Sequence, residues 1–440
     1  MEYDVIVLGA GAGGLTVSLG LAGAGKKVLL IDKNHPGGEC TWSGCIPSKS
    51  FIHLSQENNN LKTVMEKVRE NIKKIASNET PEKLQEHNVK FIQGVATFKS
   101  KNSVIVNGEI YVGNKIVIAT GSKPFIPKID GLDKIDFLTN ESFFNLDENI
   151  KSMIIIGAGV ISLELSFPLR RLGVDITILE RNDIFLPMED PEIREFYLKK
   201  LEEYNINLVL GVKEISLEKK QEEIVANVNQ KNKFTGEKLF LSVGRSPNIK
   251  DLILEIPAVE YTPQGIVVNS FMQTTNKNIY AIGDVVGPYR FSHMAGYHGE
   301  IVVRNILFPY IKKSANYSSV PWTIFSEPEF SRMGLSEEQC KKDNLETKIY
   351  ILVADDNDRS IISYEKDFYL KVICDEKWNI LGACSYGQRA GEIISMLQIL
   401  KSNKKKFYKL MDSLMAYPTY GDSLRKLAKQ AYRDYLKSIF

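Results

Sequence analysis

The chain has 440 residues, 43% of them hydrophobic and 25% charged, and its 56 basic and 54 acidic side chains leave a net charge of only +2. That is an ordinary globular balance, long enough for about three domains, and it argues against nucleic acid or an anionic membrane as the main partner. The five cysteines, Cys40, Cys45, Cys340, Cys374 and Cys384, are too few and too uneven for a secreted disulfide scaffold. They fit a reducing compartment, where a disulfide is catalytic rather than structural.

In chain order, a strand over Tyr3 to Leu8 comes first, then a glycine turn, an apolar helix to about Gly25 and a second strand from Lys27 to Ile31. This is the βαβ opening of a parallel sheet. The run Val5 to Gly25 has the hydropathy of a signal peptide, but Asp4 precedes it, no basic segment leads it, and its glycines fall at nucleotide-loop spacing. No other run approaches the ~18 apolar residues that span a bilayer, so a soluble cytoplasmic protein is expected. Residues 56–88 are charged and helical in pattern, with Leu61, Val64, Val68, Ile72 and Ile75 at helical spacing. Strands then dominate to Thr120. The opening pattern recurs from Lys151, with strand Met153 to Ile156, a glycine turn, a helix and strand Asp175 to Leu179. Further strands end at Val243-Gly244-Arg245, and another, Asn278 to Ile282, leads into Gly283-Asp284. After Pro321 strands and helices alternate without a phosphate loop, which reads as a third domain.

Gly9-Ala10-Gly11-Ala12-Gly13-Gly14 fits GxGxxG directly after a strand. Gly9 permits the tight turn, Gly11 lets the backbone approach a pyrophosphate, and Gly14 lets helix and strand pack closely, with the helix N-terminus facing the anion. Asp32 ends the second strand, where a carboxylate can accept from ribose hydroxyls. In the second loop, Gly157-Ala158-Gly159-Val160-Ile161-Ser162, serine replaces the third glycine, small for small. Glu180 ends the strand that follows. An acid there repels a 2′-phosphate and favours NADH over NADPH, a rule that adjacent Arg181 softens.

Cys40 and Cys45 lie five residues apart in Gly37-Gly38-Glu39-Cys40-Thr41-Trp42-Ser43-Gly44-Cys45-Ile46-Pro47-Ser48-Lys49. Five residues of ideal helix rise ~7.5 Å, beyond the ~7 Å that a disulfide tolerates between Cα atoms. A disulfide here therefore requires a break, and Gly44 is the natural place for it.

These motifs, with Ala119-Thr120-Gly121-Ser122, the second loop ending in Glu164, Val243-Gly244-Arg245-Ser246-Pro247-Asn248 and Tyr280-Ala281-Ile282-Gly283-Asp284, resemble the flavin-dependent pyridine nucleotide–disulfide oxidoreductases over almost the whole chain. The resemblance implies an α/β protein with two Rossmann-like domains and a C-terminal α+β dimerisation domain. Residues 1–149 and 265–318 would bind FAD, 150–264 would bind NAD(P)H, and 319–440 would form a homodimer interface. It implies that hydride passes from nicotinamide to flavin and electrons on to a Cys40–Cys45 disulfide. Cys45 would be the flavin-side thiolate, its pKa lowered by a helix N-terminus and Lys49, and Cys40 would exchange with substrate. Lys49 and Glu164 resemble the ion pair beside flavin N5, and Asp284 the carboxylate on the ribityl chain. Lys33, Gly38, Ala96, Thr120, Gly121, Ser122 and Gly283 fall at the flavin's contacts, and Gly244 at the nicotinamide's. His293 stands where the family's helix start faces the flavin, or else is a packed core histidine.

Thiol-reducing members carry a C-terminal histidine as acid–base in a His-Pro-Thr segment, with a glutamate five residues on. Here the segment reads Ala416-Tyr417-Pro418-Thr419, with Asp422 at the glutamate position, and none of His35, His53, His87, His293 and His298 lies beyond residue 298. Tyrosine, with a pKa near ~10, is a poor base at neutral pH. The tyrosine and Thr41-Trp42 resemble the mercuric-reductase-like branch, whose metal ion needs thiolates and no base. That enzyme's C-terminal cysteine pair is missing, since no cysteine follows Cys384. Cys340, Cys374 and Cys384 read as core or surface thiols. The acceptor expected is a metal ion or another small non-standard acceptor. A dihydrolipoamide dehydrogenase-type thiol enzyme and a flavin-based redox sensor or scaffold remain as alternatives.

Overall fold

A computed structural model describes residues 1–440. They group into two compact units. The first comprises Met1–Gly157, Arg171–Leu179 and Val212–Asn316. The second comprises Ala158–Arg170, Glu180–Gly211 and Tyr317–Phe440. The segment 150–264 contributes to both.

The first unit opens with β1 (Glu2–Leu8), α1 (Ala12–Gly23) and β2 (Val28–Asp32). β1 pairs in parallel with β2 on one side and with β6 (Glu109–Ile118) on the other. With β3 (Val89–Gln93), β4 (Thr97–Ser100) and β5 (Ser103–Val106), the order is β3–β2–β1–β6–β5–β4, and Ile279–Ala281 also pairs with β6. Burial on both faces explains the unbroken apolar run of β1, in which Val5 to Leu8 are all at most 1% exposed. Four parallel strands of a second sheet follow the order Asp175–Leu179, Ser152–Ile156, Lys238–Leu241, Phe137–Leu138.

The charged stretch 56–88 is interrupted. Helix Leu61–Ala76 begins where Asn60 accepts from Thr63 N, and helix Pro81–Glu86 where Thr80 caps it and proline takes the first turn. Leu61, Val64, Val68 and Ile72 are buried, whereas Ile75 in the last turn is exposed.

In the second unit an antiparallel sheet runs Pro321–Ile324, Phe330–Gly334, Ile380–Tyr386, Tyr369–Cys374, Lys348–Val353. Helices Ala390–Ser402 and Asp422–Lys437 supply Ile393, Leu397, Leu424 and Leu427 to the core that the sheet shares. Lys371, fully buried on the central part of this sheet, contacts Asp190 (2.8 Å), Glu192 and Glu337 (3.2 Å). Beside it Arg332 pairs with Glu189 at 3.0 Å. Buried charges of this kind persist only when paired and hydrogen-bonded.

Candidate active site

The two glycine loops repeat one design. Gly9 and Gly157 sit at φ +108° and +101°, a conformation that glycine alone adopts freely. The carboxylate that ends the following strand ties each turn down. Asp32 accepts from Ala10 N (2.6 Å) and Asn34 N (2.8 Å), and Glu180 accepts from Ala158 N and Asn182 N (both 2.8 Å). Both oxygens of each acid thus hold backbone, and their second lone pairs are what a ribose hydroxyl would use. Burial pushes the Asp32 pKa up, although these amides pull it down. Gly11 caps α1 without a side chain, and the first turn holds no acid, so its amides are available to an anion. Methyl groups at Gly9 and Gly14 would run into the backbone at Ala119 and Gly9, while Gly11 and Gly38 bring two backbones close. At Gly121, Gly159 and Gly244 a methyl would meet nothing. This cradle fits a dinucleotide. Lys33 is exposed, Ala96 is buried, and Ser162 is buried with its carbonyl accepting from Ser166 Oγ.

The remaining flavin-motif residues converge. Thr120 Oγ1 donates to Asn248 O (2.7 Å), and strand Ser122–Pro124 pairs with Arg245–Pro247. Ser122 Oγ donates to Asp284 Oδ2 and accepts from Arg245 Nε, both at 2.7 Å. Arg245 also pairs with Glu39, whose other oxygen accepts from Asn140 Nδ2 at 2.7 Å. Burial raises the Glu39 pKa, with Arg245 opposing it. Glu39 and Asn140 were not identifiable from the sequence; the only signal is an acid directly before Cys40.

The redox pair lies across a broken helix. α2 (Gly38–Trp42) ends at Ser43, and α3 (Cys45–Glu57) begins after Gly44, as a disulfide spacing requires. A Cβ on Gly44 would press on Glu39 O and Cys40 Cα at 3.0 and 3.3 Å. Cys45 is the first residue of α3, where the helix dipole favours negative charge. The two cysteines are not joined by a disulfide here. The Cys40 pKa is pushed up, first by its hydrogen bond to Cys45 and then by burial. Ser292 Oγ lies 3.2 Å from Cys45 Sγ. Lys49 Nζ donates to Ser48 Oγ at 3.2 Å. Glu164 is buried, and its Oε1 accepts from Phe325 N at 3.1 Å.

His293 is not a core residue: it is exposed and stacked on Phe291, with ring centroids 5.3 Å apart. The buried imidazole is His298, whose Nδ1 accepts from Gly283 N at 3.2 Å, next to Asp284. Burial lowers its pKa to about 4. Tyr417 is 67% exposed and donates to Asp358 Oδ2 at 2.7 Å, while Lys426 holds Oδ1 at 2.8 Å. That hydrogen bond raises the Tyr417 pKa further, so the phenol stays protonated at neutral pH. Cys340, Cys374 and Cys384 are all buried, and burial pushes Cys384 up to about 12.

Two nucleotide cradles and a cysteine pair on a broken helix are the parts of a flavin- and nicotinamide-dependent disulfide oxidoreductase. Residues 3–299 match the family profile "Pyridine nucleotide-disulphide oxidoreductase", and residues 320–428 match that family's dimerisation domain. The chain belongs to the pyridine nucleotide–disulphide oxidoreductases, and is an FAD- and NAD(P)H-dependent oxidoreductase with a C-terminal dimerisation domain. Mercuric reductase of Lysinibacillus sphaericus is 30% identical over 99% of this chain and 84% of its own. Dihydrolipoyl dehydrogenase of Thermus scotoductus is 28% identical, covering 98% of each chain. Among solved structures, the HOCl-induced flavoprotein disulfide reductase RclA from Escherichia coli superposes with a TM-score of 0.91 at 26% identity, covering 97% of this chain and 99% of that one. Its Cu(II) complex gives 0.90 at 25% identity, covering 98% of this chain and 99% of that one. No helix is long and apolar enough to cross a membrane.

Proposed function

We propose that this protein is a cytoplasmic homodimer that passes electrons from NADH through the Cys40–Cys45 pair to a soft metal ion, Cu(II) or Hg(II), rather than to a disulfide substrate. The observation that carries this reading is Tyr417. It stands where a thiol reductase needs a base, yet its hydroxyl is committed to Asp358 and its pKa is raised. A group that keeps its proton cannot deprotonate an incoming dithiol near pH 7. A metal ion asks for no such base, because a thiolate binds it directly. The Cu(II) complex of RclA and the mercuric reductases among the relatives agree with this choice.

FAD, when bound, takes hydride from the nicotinamide and hands an electron pair to sulfur. The chain's own groups do the rest. The first loop and α1 would hold the pyrophosphate, and Asp284, oriented by Ser122 and Arg245, would hold the ribityl chain. Glu180 would turn away a 2′-phosphate, and Lys49, one turn after Cys45 on α3, would supply positive charge to the flavin. Cys45 carries negative charge at the start of α3, and Cys40 retains the proton. Oxidation returns the disulfide: one thiol and one thiolate give up two electrons and one proton, reducing either two Cu(II) to Cu(I) or one Hg(II). The test is anaerobic NADH oxidation at neutral pH against Cu(II), Hg(II), quinone, lipoamide and glutathione disulfide. Metal-dependent turnover is expected, and sustained lipoamide turnover instead would transfer the protein to the dihydrolipoamide dehydrogenase type.

A further inference from the structure

We infer that Ser292 is a catalytic residue of the disulfide centre, its hydroxyl donating to Cys45 and holding the negative charge that reduction leaves there. Ser292 Oγ is 3.2 Å from Cys45 Sγ, within hydrogen-bond reach of sulfur, and the same hydroxyl contacts Cys40. A serine hydroxyl has one proton to give, and a sulfur left negative by reduction is a far stronger acceptor than a disulfide sulfur. Position adds to this: Cys45 is the first residue of a 13-residue helix and Ser292 the first of the 16-residue helix Ser292–Leu307, and neither start is capped by a side chain. Lys49 lies one turn along α3, His293 is turned out onto Phe291, and Glu39 is held by Arg245 and Asn140.

The consequence is a bias in the electron balance. Reduction of the pair by two electrons with uptake of one proton breaks the S–S bond and leaves Cys45 as thiolate and Cys40 as thiol. A disulfide sulfur accepts hydrogen bonds poorly, whereas a thiolate accepts them strongly, so the Ser292 hydroxyl stabilises only the reduced side. The pair thereby stays reduced until an acceptor arrives, with no imidazole to assist, and this holds whichever acceptor is used.

The experiment compares holoenzymes carrying Ser292→Thr and Ser292→Val, which match in shape and differ in the hydroxyl, alongside wild type and Ser292→Ala. Each is equilibrated in dithiothreitol redox buffers, alkylated and read by mass. With the hydroxyl removed, the Cys40–Cys45 equilibrium should move about tenfold toward the disulfide, the effect of one charge-assisted hydrogen bond, which is about 30 mV for this two-electron couple. Ser292→Thr should remain within about threefold of wild type on the same scale. Equal potentials for the Thr and Val variants, both retaining FAD, would overturn the assignment. So would a Ser292→Ala protein that keeps its FAD and the wild-type potential.

Discussion

Replacing His298 with glutamine should flatten the acid limb of this protein's stability. The imidazole is 1% exposed, accepts a backbone amide through Nδ1, and has its pKa lowered from 6.5 to about 4 by burial. The unfolded chain therefore binds a proton that the folded chain refuses. The resulting stability is complete above the unfolded pKa and is lost as pH falls toward the folded one. A tenfold difference in proton affinity between the two states is worth about 1.4 kcal/mol. Between about pH 8 and pH 4.5 the single site then removes roughly 2.5 kcal/mol, a large part of the 5–15 kcal/mol typical of a domain. Glutamine retains an oxygen to accept from Gly283 N and does not titrate. Urea unfolding of both holoproteins at the two pH values, with FAD in excess, measures the difference. The wild type should lose about 2.5 kcal/mol more than His298→Gln on acidification, and should release FAD at a higher pH, because Gly283 adjoins Asp284. An identical acid loss in the two proteins would refute the reasoning.

Gly14→Ala drives a methyl into the Gly9 carbonyl and should abolish FAD retention, whereas Gly159→Ala meets open space and should fold with bound FAD while raising KM for NADH; absorbance of the purified proteins and steady-state kinetics separate the two. Lys371→Ala strips the partner from Asp190, Glu192 and Glu337 and should cost about 3–5 kcal/mol, while Lys371→Met costs less because the stem still packs; chemical denaturation reads both.

What the sequence revealed was local. The strand–glycine–helix starts at Gly9 and Gly157 were legible because turn, acid and apolar run lie within some twenty residues of one another, and the break at Gly44 followed from helix rise alone. Side-chain pairings across the fold were not legible. Ser292 meets Cys45 from 247 positions away and Arg245 meets Glu39 from 206, and no periodicity encodes such pairs. His293 and His298 show how close a reading can come and still miss. Five residues on a helix turn the side chain by about 140°, so the first faces solvent and the second the core. Asp358 escaped for the same reason: its tie to Tyr417 spans 59 positions, and only that tie shows the tyrosine holding its proton rather than offering a base.

The central claim, a disulfide centre that empties onto metal rather than onto another disulfide, is met most directly by a single-turnover measurement. Enzyme reduced anaerobically with one equivalent of NADH is mixed at neutral pH with Cu(II) or with lipoamide, and Cu(I), new lipoamide thiols and protein thiols are counted. The account predicts two Cu(I) formed as the Cys40 and Cys45 thiols disappear, with lipoamide leaving those thiols intact. Rapid thiol loss to lipoamide, with no Cu(I) formed from Cu(II), would contradict it.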